Sequence, residues 1–71
     1  MTAYYSFAEN LRYYREKRDM TQTDLAKKLS VTKQTVSSWE TAIRYPQLDT
    51  IYDIARVLGI DVVLLVTPRE E

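Results

Sequence analysis

The sequence predicts an all-α fold, a compact bundle of four to five short helices, and three observations carry that reading. Apolar residues recur at intervals of three and four along several separate stretches, the period of one helix face. Hydroxyl or acidic residues stand at the start of these stretches, and the single glycine, Gly59, follows the strongest of them. A chain of 71 residues has room for one hydrophobic core, so residues 1–71 are read as one domain.

Residues 1–5 have no periodicity and are expected to form a flexible arm, with Tyr4 and Tyr5 free to pack on a helix or a partner. Ser6 followed by Glu9 reads as a capping box. Phe7, Leu11 and Tyr14 then mark one face of a helix over 7–18. Asp19 ends it at a place that favours residues tolerant of left-handed backbone, and Met20 turns into the core. Thr21 and Asp24 give the next start signal, for a helix over 22–29 whose Leu25, Ala26 and Leu29 share a face. Ser30, Val31 and Thr32 interrupt that pattern with hydroxyl and β-branched side chains. A second short helix over 33–40 buries Val36 and Trp39 and leaves Lys33, Gln34, Ser37 and Ser38 outside.

Pro46 makes 41–47 a loop, in which Arg44 and Tyr45 offer donors suited to phosphate oxygens. Leu48, Ile51, Ile54, Ala55 and Leu58 form the strongest stripe, a helix over 48–58 stopped by Gly59. Residues 61–67 admit two readings, because Val62, Val63, Leu64, Leu65 and Val66 run without a polar break. As a helix capped by Asp61 the segment turns Val62 and Leu65 inward; as a strand it ends at Pro68. Both leave apolar surface wanting cover, and these five residues are expected to form a two-fold dimer contact.

Composition narrows the chemistry. Without cysteine or histidine there are no disulfides, thiol nucleophiles, imidazole bases or ordinary transition-metal sites. One glycine leaves no phosphate-cradling loop, and Asp49 with Asp53, the close acid pair on a helix, reads as a solvated face. No enzyme activity, cofactor or metal is expected. The N-terminus lacks a basic region followed by an apolar run, and no stretch is long enough to cross a bilayer, so the expected location is cytoplasmic. Net charge is zero, yet residues 1–47 carry a surplus of three positive charges and 48–71 three negative.

The outer face of 33–40 suits base edges, since Lys33 can donate to guanine acceptors and Gln34 can satisfy both groups of adenine. Short polar residues on a helix are also what an ordinary solvated surface carries. The order of three segments decides between the two. LRYYREKRDMTQTDLAKKL, SVTKQTVSSWE and RYPQLDTIYDIARVLGI resemble, in sequence and spacing, the XRE-type helix-turn-helix family of the lambdoid phage repressors and Cro, from Leu11 to Leu65.

The resemblance implies a repressor-like bundle and a set of roles. Thr32, Lys33, Gln34 and Ser38 match positions that reach base edges, with Ser37 beside them near the backbone. Gln22 matches a glutamine that touches phosphate and braces the recognition helix, and Thr41, Arg44 and Tyr45 match the loop that holds the sugar-phosphate chain. Arg15 and Glu40 match a buried ion pair between helices. Ala42 stands where glycine often ends the recognition helix, and because a left-handed alanine costs about 1–2 kcal/mol, that helix is expected to run on by one or two residues. The implied function is a transcription regulator, a repressor that binds a palindromic operator in double-stranded DNA as a homodimer. The competing expectation is a protein-interaction module whose main partner is a toxin or another regulatory protein.

Overall fold

A computed structural model describes residues 3–69, and side chains from residue 6 onward. Five helices follow one another among the described residues, without a strand: α1 (Ala3–Lys17), α2 (Gln22–Leu29), α3 (Lys33–Glu40), α4 (Leu48–Leu58) and α5 (Val62–Val66). Each contributes apolar side chains to one core, built from Phe7, Leu11, Leu25, Val36, Trp39, Ile51, Ile54, Leu58 and Leu65 with three small alanines between them. Helix α1 packs on α3 and α5, α2 on α3 and α4, and α4 on α5.

Several expectations are corrected along the chain. Helix α1 opens at Ala3, so the arm predicted over 1–5 is helical from residue 3, while Met1 and Thr2 lie outside the described residues. Ser6 is no cap; it lies inside the helix beside Phe7, Ala8 and Asn10, all buried. A capping box is worth only about 1 kcal/mol, and burying this face of α1 outweighs it. Leu48 leaves the stripe assigned to it and is 67% exposed. Just before it, Pro46 is buried and Tyr45 packs against the core, meeting Phe7 edge to face at 5.2 Å. The tail is a helix and not a strand, capped by Asp61, whose side chain accepts from the Val63 amide at 3.0 Å. Its dimer assignment changes with that: Leu65 is fully buried inside one chain and Val62 packs against the core, leaving Val63, Leu64 and Val66 exposed.

The four longer helices end in the same way. Asp19, Ser30, Ala42 and Gly59 all have positive φ, and in each turn an amide reaches back over the last helical turn. The pattern is a Schellman motif, with the residue after the left-handed one bonded to a carbonyl five positions earlier: Met20 to Arg15, Val31 to Ala26, Ile43 to Ser38 and Ile60 to Ala55. Helix α3 therefore stops at Glu40 and does not run on, with Ala42 at φ 61°. The two amide bonds to Ser38 and Trp39 hold the alanine in a conformation it would not choose alone.

The predicted α4 stop at Gly59 is reinforced from outside, because Arg18 Nε donates to the Leu58 carbonyl at 2.7 Å. The tail is tied to α1 by Asn10, an arrangement that sequence reasoning missed. Its buried amide donates to the carbonyls of Leu65 at 3.0 Å and Thr67 at 2.8 Å, and its oxygen accepts from Arg69 Nε at 3.0 Å. The Arg69 guanidinium lies 4.0 Å from the centre of the Tyr13 ring, a cation–π contact that closes the clasp.

Candidate nucleic-acid interface

Two helices and the turn between them make the site. Thr21 caps α2 with a full capping box: its hydroxyl accepts from the Asp24 amide at 3.0 Å, and the Asp24 carboxylate accepts from the Thr21 amide at 2.9 Å. Those bonds, with the nearby Lys27 and Lys28 charges, hold the Asp24 carboxyl below the usual carboxylate range. Leu25 and Ala26 are buried, Ser30 takes the left-handed turn position, and Val31 packs against the core. Thr32 then caps α3, its hydroxyl accepting from the Thr35 amide at 3.1 Å and lying 2.8 Å from the Thr35 hydroxyl. With Val36 and Trp39 inward, Lys33 and Gln34 stand exposed on the far face.

Helix α3 is fastened from beneath. Arg15 grips Glu40 with two bonds, Nε to Oε2 at 2.7 Å and Nη2 to Oε1 at 3.0 Å, and its third nitrogen donates to the Met20 carbonyl at 2.7 Å. The two side chains are only 9% and 3% exposed. Glu40 raises the arginine pKa by hydrogen bonding, against the opposing effect of burial. Gln22, the first residue of α2, donates to the same Glu40 Oε1 at 3.0 Å. One carboxylate thus joins α1, the start of α2 and the end of α3, and the exposed face of α3 is held rigidly against the rest.

An open groove of about 690 Å³ runs between α3 and the start of α4. Gln34, Ser38, Arg44, Tyr45, Gln47 and Thr50 are among its walls, which include no carboxylate. Of the predicted contact residues the groove brings together Gln34, Ser38, Arg44 and Tyr45; Gln22 sits apart at the Glu40 carboxylate, and Lys33 is not part of the wall. Ser38 and Thr41 are already occupied as donors, to the Thr35 carbonyl at 2.7 Å and the Ser37 carbonyl at 2.9 Å. Gln47 and Thr50, not among the predicted contact residues, also line the groove. Gln47 precedes α4 as its cap residue yet makes no side-chain capping bond. A proline followed by a polar residue and a helical stripe is a signal for a helix start, and it points to residue 47 without saying that its amide is left over.

Comparison with known proteins agrees with this geometry. A helix-turn-helix family model matches residues 11–65. An uncharacterized HTH-type transcriptional regulator of Methanocaldococcus jannaschii, MJ0272, is 40% identical over 52 residues, 73% of this chain and 79% of that protein. The cryptic phage CTXphi transcriptional repressor RstR of Vibrio cholerae is 30% identical over 64 residues, 90% of this chain and 58% of its own length. Among solved structures, hydroxypropylphosphonic acid epoxidase from S. wedmorenis superposes with a TM-score of 0.89 and 36% identity over 97% of this chain. The chain spans only 37% of that enzyme, so the likeness is to one part of it. With all five helices ordered around the α2–turn–α3 unit and the family match running from Leu11 to Leu65, the chain belongs to the helix-turn-helix family.

Proposed function

We propose that the chain is a sequence-specific double-stranded DNA-binding transcriptional regulator, a repressor that binds a palindromic operator as a homodimer through α3. The observation that carries this reading is the exposed pair Lys33 and Gln34 on a helix whose far end is fixed by the Arg15–Glu40–Gln22 cluster. Base readout needs donors and acceptors held in place before contact, and this helix has both the chemistry and the anchorage. In the proposed complex Lys33 donates to guanine and Gln34 pairs with adenine, while Thr32 and Ser38 complete the base contacts. Ser38 has committed its proton to the Thr35 carbonyl, so it meets a base as an acceptor, for an amino group of adenine or cytosine. Arg44, Tyr45, Ser37 and the remaining amide hydrogen of Gln22 hold phosphates and set the register, and Thr41 joins them by turning its hydroxyl from the Ser37 carbonyl to a phosphate oxygen.

The homodimer rests on Val63, Leu64 and Val66, an exposed apolar face in a chain of 71 residues. A two-fold dimer places two copies of α3 about 34 Å apart, one helical turn of DNA. The names of MJ0272 and RstR support the regulator and repressor readings. Selection of bound duplexes from a randomised pool, at a stated near-physiological salt, tests the whole reading, since affinities without salt carry no meaning. An enriched inverted repeat with half-sites about one turn apart is the expected outcome; no enrichment rejects it. The zero net charge and the same exposed α5 face favour a second reading, a module that binds a toxin or another regulatory protein. Replacing Lys33 and Gln34 by alanine separates them, because it removes operator binding and leaves partner binding intact.

A further inference from the structure

We infer that Ile43 is a specificity-determining residue of the DNA interface, an apolar side chain that reads a thymine methyl group at the edge of the major groove. The inference rests on the proposed function of α3. Four helices of this fold end in Schellman turns, and in that motif the apolar residue after the left-handed position normally folds back on the last helical turn. Met20, Val31 and Ile60 do so and pack against the core. Ile43 does not: it is 76% exposed, the highest among the exposed large hydrophobic side chains. Five residues back from Ile43 stands Ser38, whose carbonyl accepts the Ile43 amide and whose hydroxyl is bound to the Thr35 carbonyl.

A single exposed aliphatic side chain is ordinary on a protein surface. Ile43 is set apart by its anchorage and its neighbours. Its amide donates to the Ser38 carbonyl at 3.0 Å, and the Arg44 amide donates to the same oxygen at 3.1 Å. The backbone is therefore pinned to the helix end, and contact with a ligand orders little beyond the side chain's own rotamers. Ser38 and Arg44 both line the groove beside α3, and Thr41 on the other side of the turn is bound to α3 as well. In the proposed complex, where Arg44 holds phosphate, the adjacent Ile43 lies where the groove meets the sugar-phosphate chain. An isoleucine gains nothing from phosphate. Of the apolar groups there, deoxyribose C–H surface is common to every nucleotide, and the C5 methyl of thymine alone distinguishes a base in the major groove.

The test uses the full chain and the operator enriched by selection. Each thymine of a half-site is replaced in turn by deoxyuridine, which deletes the methyl group and keeps every hydrogen-bonding atom. One replacement is expected to weaken wild-type binding about fourfold, the worth of one buried methyl or methylene. Ile43→Ser should bind the intact operator weaker by at least that factor and no longer distinguish thymine from uracil at that position, while Ile43→Val keeps the distinction. Wild-type affinity in Ile43→Ser, or undiminished sensitivity to every uracil, overturns the inference and leaves the DNA reading standing. Dissociation of dimers by Ile43→Ser also overturns it, assigning the residue to a contact between copies. Should the wild-type chain enrich no sequence, the DNA reading fails first and this inference with it.

Discussion

Arg15 and Glu40, 25 positions apart in the chain, form a two-pronged ion pair with both side chains almost out of solvent, and Gln22 adds a third bond to the same carboxylate. Removing one member strands the other as an uncompensated buried charge. Arg15→Ala or Glu40→Ala should each cost about 3–5 kcal/mol, seen as a large fall in the thermal or urea midpoint. Replacing both by apolar residues of similar volume should recover most of the loss, because the pair's attraction barely exceeds the cost of desolvating it. A single variant that melts like wild type would show that the pair carries no weight in the fold.

Ala42 and Gly59 occupy equivalent left-handed positions at the ends of α3 and α4, and only one of them is a glycine. Ala42→Gly should stabilise the chain by up to about 1 kcal/mol by removing the Cβ strain, less the extra entropy that glycine has in the unfolded chain. Gly59→Ala should cost about 1 kcal/mol for the reverse reason. A Cβ at Gly59 meets only the end of Arg18, at 3.7 Å, so crowding adds nothing to that strain. Urea midpoints at unchanged slope report both effects.

Most helices were legible because their start and stop signals are local. Thr21 with Asp24, the apolar pairs of 22–29 and 33–40, and Gly59 each act within four residues; α2 and α4 fall on the predicted bounds, and α3 on those of its apolar pattern, without the extension that Ala42 led us to expect. Ser6 with Glu9 carried an equally local signal and misled, since tertiary burial of Ser6 and Asn10 extends α1 past it. The tail was open in principle: five apolar residues in a row fit either period, and what decides is Asn10, more than fifty residues away, holding the Leu65 and Thr67 carbonyls. The exposure of Lys33 and Gln34 followed from the inward positions of Val36 and Trp39. The groove could not be foreseen, because it depends on the path of 44–47, which Tyr45 fixes by packing on Phe7.

The capping box makes α2 sensitive to acid. Asp24 is held below the usual carboxylate range chiefly by the Thr21 backbone amide, so its unfolded pKa is the higher of the two. Its stabilising contribution is present above the unfolded value and is lost as pH falls through the folded one. Asp24→Asn should therefore be less stable than wild type at neutral pH, and the two should converge as the solution is acidified. Denaturation of both proteins across the acid range checks this; a constant difference down to the lowest pH would place the stabilisation outside the ionised carboxylate.

The two sides of α5 predict opposite phenotypes. Val63 and Leu64 are 56% and 42% exposed, whereas Leu65 is wholly buried. Val63→Glu with Leu64→Lys should leave the helical signal and melting of the single chain nearly unchanged while dimers dissociate on sedimentation. Leu65→Ala should instead cost about 2–5 kcal/mol of folding stability, by opening a cavity between α1, α4 and α5. If the surface pair sediments like wild type, the contact between copies lies elsewhere.

Gln34 and Arg44 share one groove yet should fail differently. Gln34 faces bases in the proposed complex, so Gln34→Ala should relax preference at one operator position and cost about 1–3 kcal/mol against the best sequence and far less against others. Arg44 faces phosphate, and Arg44→Ala should weaken all sequences alike and lower the slope of log affinity against log salt by about one. Titrations of matched and mismatched duplexes at several salt concentrations measure both quantities together. A sequence-independent loss for Gln34→Ala would move it from base readout to the backbone, and α3 would then sit in the groove turned by part of a helical turn from the proposed orientation.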